Sequence, residues 1–294
     1  MATTIAIFGR HPKPESYPYI QELFNLLFKQ NITVFVYEKL YLNLKDYITF
    51  PTQAITFKSG ESLEQNCELM ISLGGDGTLL NTLPILQHTR VPVLGINIGR
   101  LGFLTSVGKE DMPLLVDVIK NRNYAVEQRT LLQMDVENNP FGVENVALND
   151  FTIYRKDSAS MIIVHVYLDE QFLNSYWADG LIIATPTGST GYSLSCGGPI
   201  IFPSSKNFVI TPIAPHNLNV RPIIISDDSK ITIEIENRAS SYLISMDSRV
   251  AEMRKQVRFL FSKSPNVLNL ARLHHVDFLS TLRSKLSWGL DTRN

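Results

Sequence analysis

The residues Leu69-Met-Ile-Ser-Leu-Gly-Gly-Asp-Gly-Thr78 combine types and spacing that can do chemistry. An apolar strand ends, three glycines and one aspartate follow, and a helical pattern begins. Glycine lets the backbone approach a ligand closely and adopt positive φ. Amide groups that point outward near a helix N-terminus favour phosphate. Asp76 is the odd member, because a carboxylate repels phosphate. It makes sense if it takes a proton from an attacking hydroxyl, or works beside a metal ion. The competing reading is a tight strand-to-helix turn with Asp76 as helix cap.

Further stretches narrow the choice. Gly74-Gly-Asp-Gly-Thr78 resembles the GGDGT signature of a kinase superfamily that includes NAD kinases, diacylglycerol and sphingosine kinases and, more distantly, phosphofructokinases. Asn97-Ile-Gly-Arg-Leu-Gly-Phe-Leu-Thr105 is similar to the NxGxLGFL segment of NAD kinases. Asn149-Asp150 stands where that family has an Asn-Glu pair. Asp179 to Ser195 resembles the block DGxxxxTPTGSTAYSLS, continued by Gly197-Gly-Pro199. The chain is identified by this resemblance with bacterial NAD kinases, over residues 69–105 and 145–199.

The resemblance implies roles residue by residue. Asp76 is the expected general base for the 2′-hydroxyl of the adenosine ribose of NAD, with Gly77 beside the substrate. Gly74, Gly75, Gly77 and Thr78 are expected to hold the phosphate donor, the glycines through their amides. Asn149 and Asp150 are expected to bond ribose hydroxyls. Thr187, Thr190, Gly191, Tyr192, Ser193, Leu194 and Ser195 are expected to wall the adenine and ribose. Asp179 is expected at the nicotinamide end, within its own chain or across a subunit interface. The implied activity is transfer of phosphate from ATP to NAD, giving NADP. Mg²⁺ is expected to arrive with ATP, without a dedicated protein cage. A homodimer or homotetramer is implied. The rival readings are a lipid kinase sharing GGDGT and a non-catalytic NAD(P) sensor. The polar wall speaks against the first and Asp76 against the second.

The chain departs from the pattern in three places. Asp150 is one methylene shorter than Glu, Gly191 replaces Ala, and Asp247-Ser-Arg249 stands where the family has DGQ. That last triplet is left without a role. Bland readings stand beside these. Gly188-Ser-Thr-Gly191 fits a polar hairpin loop, Tyr192 fits plain packing, and the loop Gly99-Arg-Leu-Gly102 fits a structural role. No GxxxxGK[ST] loop, Rossmann fingerprint, GxSxG elbow or HExxH pair occurs.

The elements that must position these residues follow from periodicity. Thr4–Phe8, Ile32–Tyr37, Leu69–Leu73 and Val91–Ile96 read as strands. Tyr19–Lys29, Thr78–Leu86 and Pro113–Ile119 carry helical patterns. Pro84 predicts a kink or stop in the second, since its ring crowds the carbonyl of Leu80. Strands alternating with helices predict a Rossmann-like α/β domain over 1–123. From about Tyr124 the texture turns to successive strands, including the alternating Lys230-Ile-Thr-Ile-Glu-Ile-Glu236, Tyr242–Met246, Val257–Phe261 and a hairpin at Tyr167–Phe172. A β-sandwich-like domain is expected over 124–270. Phe278, Leu279, Leu282 and Leu286 return to helical spacing, so residues 271–294 are expected to rejoin the first domain.

Composition bounds the rest. The chain has 294 residues, with 27 Lys+Arg against 28 Asp+Glu, and its residues are 44% hydrophobic. No basic stripe suits nucleic acid, and no membrane partner is expected. The six histidines are scattered, and the two cysteines, Cys67 and Cys196, are too few for a thiolate zinc site. They read as reduced thiols in a cytoplasmic protein, and no targeting segment is read at the N-terminus.

Overall fold

The computed structural model describes residues 3–50, 55–60, 63, 67–97, 99, 102–108, 111–156, 161–237, 241–254 and 257–288. The chain divides into two compact units, residues 1–128 with 268–294, and residues 129–267.

The first unit alternates as its hydrophobic periods require. In order come β1 (Thr4–Phe8), α1 (Tyr17–Lys29), β2 (Thr33–Tyr37), α2 (Glu38–Leu44), β3 (Ile55–Phe57) and β4 (Leu69–Leu73). Then follow α3 (Asp76–Leu80), α4 (Leu83–Leu86), β5 (Val93–Ile96), β6 (Thr105–Val107) and α5 (Met112–Lys120). The strands form a parallel sheet in the order β5-β4-β1-β2-β3, with β6 also on β5. β4 is buried along its whole length, as expected of a central strand covered on both faces. α1 buries Ile20, Leu23, Phe24 and Leu27, one stripe at helical spacing. Each such side chain contributes about 1.5–3 kcal/mol on full burial. Pro84 breaks the helical run as its chemistry demands. α3 stops at Leu80, and Pro84 falls in the first turn of α4, where a missing N–H costs nothing.

The chain leaves this unit along β7 (Ala125–Asp135). The second unit continues with β8 (Val146–Ala147), β9 (Asp150–Arg155), β10 (Ile162–Leu168), β11 (Gln171–Ala178), β12 (Gly180–Ala184), α6 (Tyr192–Ser195), β13 (Asn207–Ile213) and β14 (Ile223–Ser226). It ends with β15 (Ile231–Asn237), β16 (Tyr242–Met246), β17 (Arg249–Met253) and β18 (Arg258–Arg272). Two antiparallel layers result, β11-β10-β15-β18 and β14-β13-β12-β9-β16-β17. Their inward residues, such as Ile231, Ile233 and Ile235 from one layer and Phe151, Ile153 and Ile183 from the other, form one core. That is the packing of a β-sandwich. The β10–β11 hairpin turns on Asp169 and Glu170, both at positive φ, the signature of a two-residue primed turn. The final helix α7 (Phe278–Leu286) opens on a capping box between Asp277 and Ser280 and lies in the first unit's share of the chain. No described helix is long and apolar enough to cross a membrane.

Candidate active site

β4 hands the chain to Gly74, whose φ of +147° suits only glycine. A Cβ there would strike the Thr78 side chain. The Gly75 carbonyl accepts from Thr78 N at 2.8 Å and Leu79 N at 3.3 Å, which starts α3. The Gly74 N–H donates to the Ile96 carbonyl at 2.9 Å. The expectation that all three glycine amides serve a phosphate therefore narrows to Gly75 and Gly77. Gly77 is exposed, and a Cβ on it would meet nothing within 4 Å.

Asp76 is the first residue of α3 and makes no side-chain cap. Its carboxylate instead accepts from Phe103 N at 2.7 Å, Leu104 N at 3.1 Å, Thr105 N at 2.9 Å and Thr105 Oγ1 at 2.8 Å. The helix-cap alternative thus gives way to a clasp across 27 to 29 residues. Gly102 N–H closes the turn on the Thr105 carbonyl at 2.9 Å, and a Cβ on Gly102 would overlap the Asp76 carboxylate. Arg272, 2% exposed, donates from Nη2 to the Phe103 carbonyl at 2.9 Å and fixes the same turn. Among the described residues Oδ1 accepts three of these bonds and Oδ2 only the one from Phe103 N, so Oδ2 keeps a lone pair free. Arg100 and Leu101, from the loop read as structural, and Ile98 before it lie outside the described residues.

A cavity of about 560 Å³ opens beside this loop, lined by Leu73, Gly74, Gly75 and Thr78 together with Arg10, His11 and Lys13. The Arg10 carbonyl accepts from Asn43 Nδ2 at 2.5 Å, which pins the β1–α1 connection, and His11 Nδ1 lies 3.1 Å from the same nitrogen. Sequence reading missed these cations. The signal was present in Gly9-Arg-His-Pro-Lys13, a basic run at the carboxyl end of a parallel strand, where open α/β sheets bind ligands.

The second unit gathers the other motifs at one end of its six-stranded layer. The turn Leu148–Asp150 is gripped from two sides. Thr185 donates from Oγ1 to the Leu148 carbonyl at 2.5 Å and from N to the Asn149 carbonyl at 2.9 Å. The Asp247 carboxylate accepts from Leu148 N at 2.9 Å, Asn149 N at 2.7 Å and Asp150 N at 3.2 Å. The chain then runs from β12 into a short 3₁₀ turn, Gly188–Thr190, and α6. A Cβ on Gly188 would land on the Asn149 carbonyl, and one on Gly191 would sit 3.6 Å from Asn149 Nδ2 and 3.8 Å from Asp150 Oδ2. Asn149, Asp150, Gly188 and Gly191 are therefore neighbours.

Within the predicted wall the side chains divide. Tyr192 and Ser195 are exposed, while Thr190, Gly191 and Leu194 are half-buried. Thr187 is buried and its carbonyl accepts from Thr190 Oγ1 at 3.2 Å. Ser193 is buried with its hydroxyl 2.9 Å from Thr211 Oγ1, so its side chain serves packing. Asp179 stands apart. It pairs with Arg155 at 3.0 Å and precedes β12, whereas the cluster follows that strand. A strand of this length at about 3.3 Å per residue separates them by roughly 16 Å.

Burial and the negative charge of Asp247 push the Asp150 carboxyl up to about 7, against the Thr152 hydroxyl that bonds it. Burial also raises Asp247, opposed by its three amides and Arg249. Among the described residues no three His, Cys, Asp or Glu side chains cluster to hold a metal, and the one carboxylate lining the cavity, Glu15, lies 3.8 Å from Lys13.

Comparison with known proteins agrees with the order of these motifs. Residues 5–124 match the ATP-NAD kinase N-terminal domain and residues 148–273 the ATP-NAD kinase C-terminal domain. The chain is similar to an NAD kinase of Flavobacterium johnsoniae, 45% identical over 300 residues, covering 99% of each chain. In fold it resembles yeast NADH kinase complexed with NADH, with a TM-score of 0.86 at 24% identity, covering 99% of this chain and 89% of that one. It also resembles an NAD kinase from Archaeoglobus fulgidus in complex with ATP, with a TM-score of 0.73 at 23% identity, covering 98% and 99%.

Proposed function

The chain belongs to the ATP-NAD kinase family, and on that premise we propose how its residues phosphorylate the 2′-hydroxyl of the adenosine ribose of NAD with ATP to give NADP. A sugar hydroxyl is a poor nucleophile, and phosphoryl transfer places most of its charge on the group in flight. Positioning and electrostatics therefore dominate, and a general base adds roughly 10²–10⁴-fold. Asp76 is read as that base, the observation that carries the reading being its four-donor clasp, which fixes both carboxylate oxygens in place. Oδ2, which among the described residues accepts only from Phe103 N, has a lone pair left for the proton of the ribose hydroxyl.

Gly75 and Thr78 line the cavity with Arg10 and Lys13, which supply positive charge, and Gly77 is read as a further contact to the phosphate donor beside it. The donor is read as the Mg²⁺ complex of ATP, in which the ion offsets triphosphate charge. Asn149 and Asp150 take ribose hydroxyls, and Thr190, Tyr192 and Ser195 flank the base and sugar. Asp179 is assigned to the nicotinamide end of NAD bound by a second subunit, because it lies at the wrong end of β12 to serve its own cluster. Exposed Phe172 and Trp177 on β11 support a homo-oligomer. Two free cysteines fit a cytoplasmic chain.

Purified protein given Mg-ATP and NAD, with NADP read by a coupled dehydrogenase, tests the activity. NADP formation supports the reading. NAD binding without turnover would instead favour a sensor.

A further inference from the structure

We propose that Asp247 is a positioning residue for NAD, acting through the Leu148–Asp150 turn that presents Asn149 and Asp150. The proposal rests on the reading of this unit as the NAD-binding one.

Asp247 sits at the β16–β17 hairpin with φ +52°, a conformation that aspartate tolerates better than most residues. Its own N–H donates to the Asp150 carbonyl at 2.9 Å. Its carboxylate collects three consecutive backbone amides, from Leu148, Asn149 and Asp150. No other side chain among the described residues bonds those amides. Thr185 holds the Leu148 and Asn149 carbonyls from the opposite side. The turn's backbone is thus committed, and the side chains of Asn149 and Asp150 are what it offers outward. The Asn149 carboxamide makes no hydrogen bond to another described residue, so it is available to a ligand.

Asp247 has a second effect, carried by charge. The groups facing Asp150 are Asp247, Tyr192, Cys196 and the neutral Thr152 hydroxyl. Arg249 faces Asp247 and opposes the effect of its burial, and Glu144 pairs with Arg249 at 3.5 Å. Asp247 is the carboxylate that raises Asp150 beyond what burial does alone. Ionised Asp150 is the form that accepts a hydrogen bond from a ribose hydroxyl without donating one. Asp247 therefore sets both where Asp150 stands and the pH above which it accepts.

Two variants separate these effects. Asp247→Asn keeps one acceptor oxygen and removes the charge. KM for NAD should rise about tenfold, the effect of one lost hydrogen bond to a buried group, while KM for ATP stays within about twofold. The acidic limb of kcat/KM for NAD should move to lower pH, because Asp150 loses its like-charged neighbour. Thr185→Val loosens the same turn without changing charge. It should raise KM for NAD selectively and leave the acidic limb in place. Equal changes in both Michaelis constants for either variant overturn the positioning role, and an unmoved limb in folded Asp247→Asn overturns the charge effect. If Asp247→Asn does not fold, Thr185→Val still decides the positioning role. Wild-type NADP formation tests the underlying reading independently of both variants.

Discussion

Asp76 carries more at the residue scale than its place among glycines suggests. The motif announced a carboxylate near phosphate. It gave no sign that this carboxylate would clasp Phe103–Thr105, because a hydrogen bond across 27 or more residues leaves no local pattern. The clasp changes what a substitution does. In Asp76→Asn the new amide faces the Phe103 N–H, so the folded state should lose about 1–3 kcal/mol. Turnover should also fall by at least about 10²-fold. A thermal melt and steady-state kinetics read the two effects, and turnover within threefold of wild type contradicts the base. Gly77→Ala separates stability from function in the other direction. Its Cβ meets no atom within 4 Å and the residue lies in α3, so melting should hold or rise slightly. The space it enters belongs to ligands in this account, so kcat/KM should fall about fivefold or more, the effect of roughly 1 kcal/mol. Wild-type kinetics would show that the space is idle.

Element boundaries were legible wherever a period was clean. Thr4–Phe8, Leu69–Leu73 and Tyr242–Met246 stand as their apolar runs indicate, and Pro84 splits its helix. β18 is a different case. Only Val257–Phe261 reads as strand, because Pro265 interrupts the pattern, yet the strand runs on to Arg272. α2 and β17 are short and half-polar, and β11 is half-exposed, so tertiary pairing rather than propensity decides them. Gly188–Gly191 reads as a polar hairpin loop and forms a 3₁₀ turn leading into α6, since such short helices have no period to detect.

Asp150 gives the element carrying it a pH dependence. Its carboxyl is raised in the fold to about 7, so the folded chain binds more protons than the unfolded one between its ordinary value of 3.8 and about 7. Stability is therefore fully present below that window and declines as pH rises through it. Asp150→Asn removes the buried charge. Its melting temperature should exceed that of wild type at pH 8, and the difference should shrink towards pH 5. A difference that does not vary with pH contradicts the burial cause.

On the scale of the whole molecule, two units carry two sets of residues, and Asp179 belongs to neither set within one chain. Mixing Asp76→Asn subunits with Asp179→Ala subunits should restore activity if Asp179 serves a neighbour's NAD. No recovery from a stable mixed oligomer would place its role within its own subunit.

The central claim is that this chain makes NADP by a reaction that needs the Asp76 carboxylate. The most direct measurement follows NADP formation by purified wild type and folded Asp76→Asn, each given Mg-ATP and NAD under the same conditions. Wild type should form NADP at a rate that saturates in both substrates, and the variant at least about 10²-fold less. No NADP from folded wild type, or equal rates from the two proteins, would contradict it.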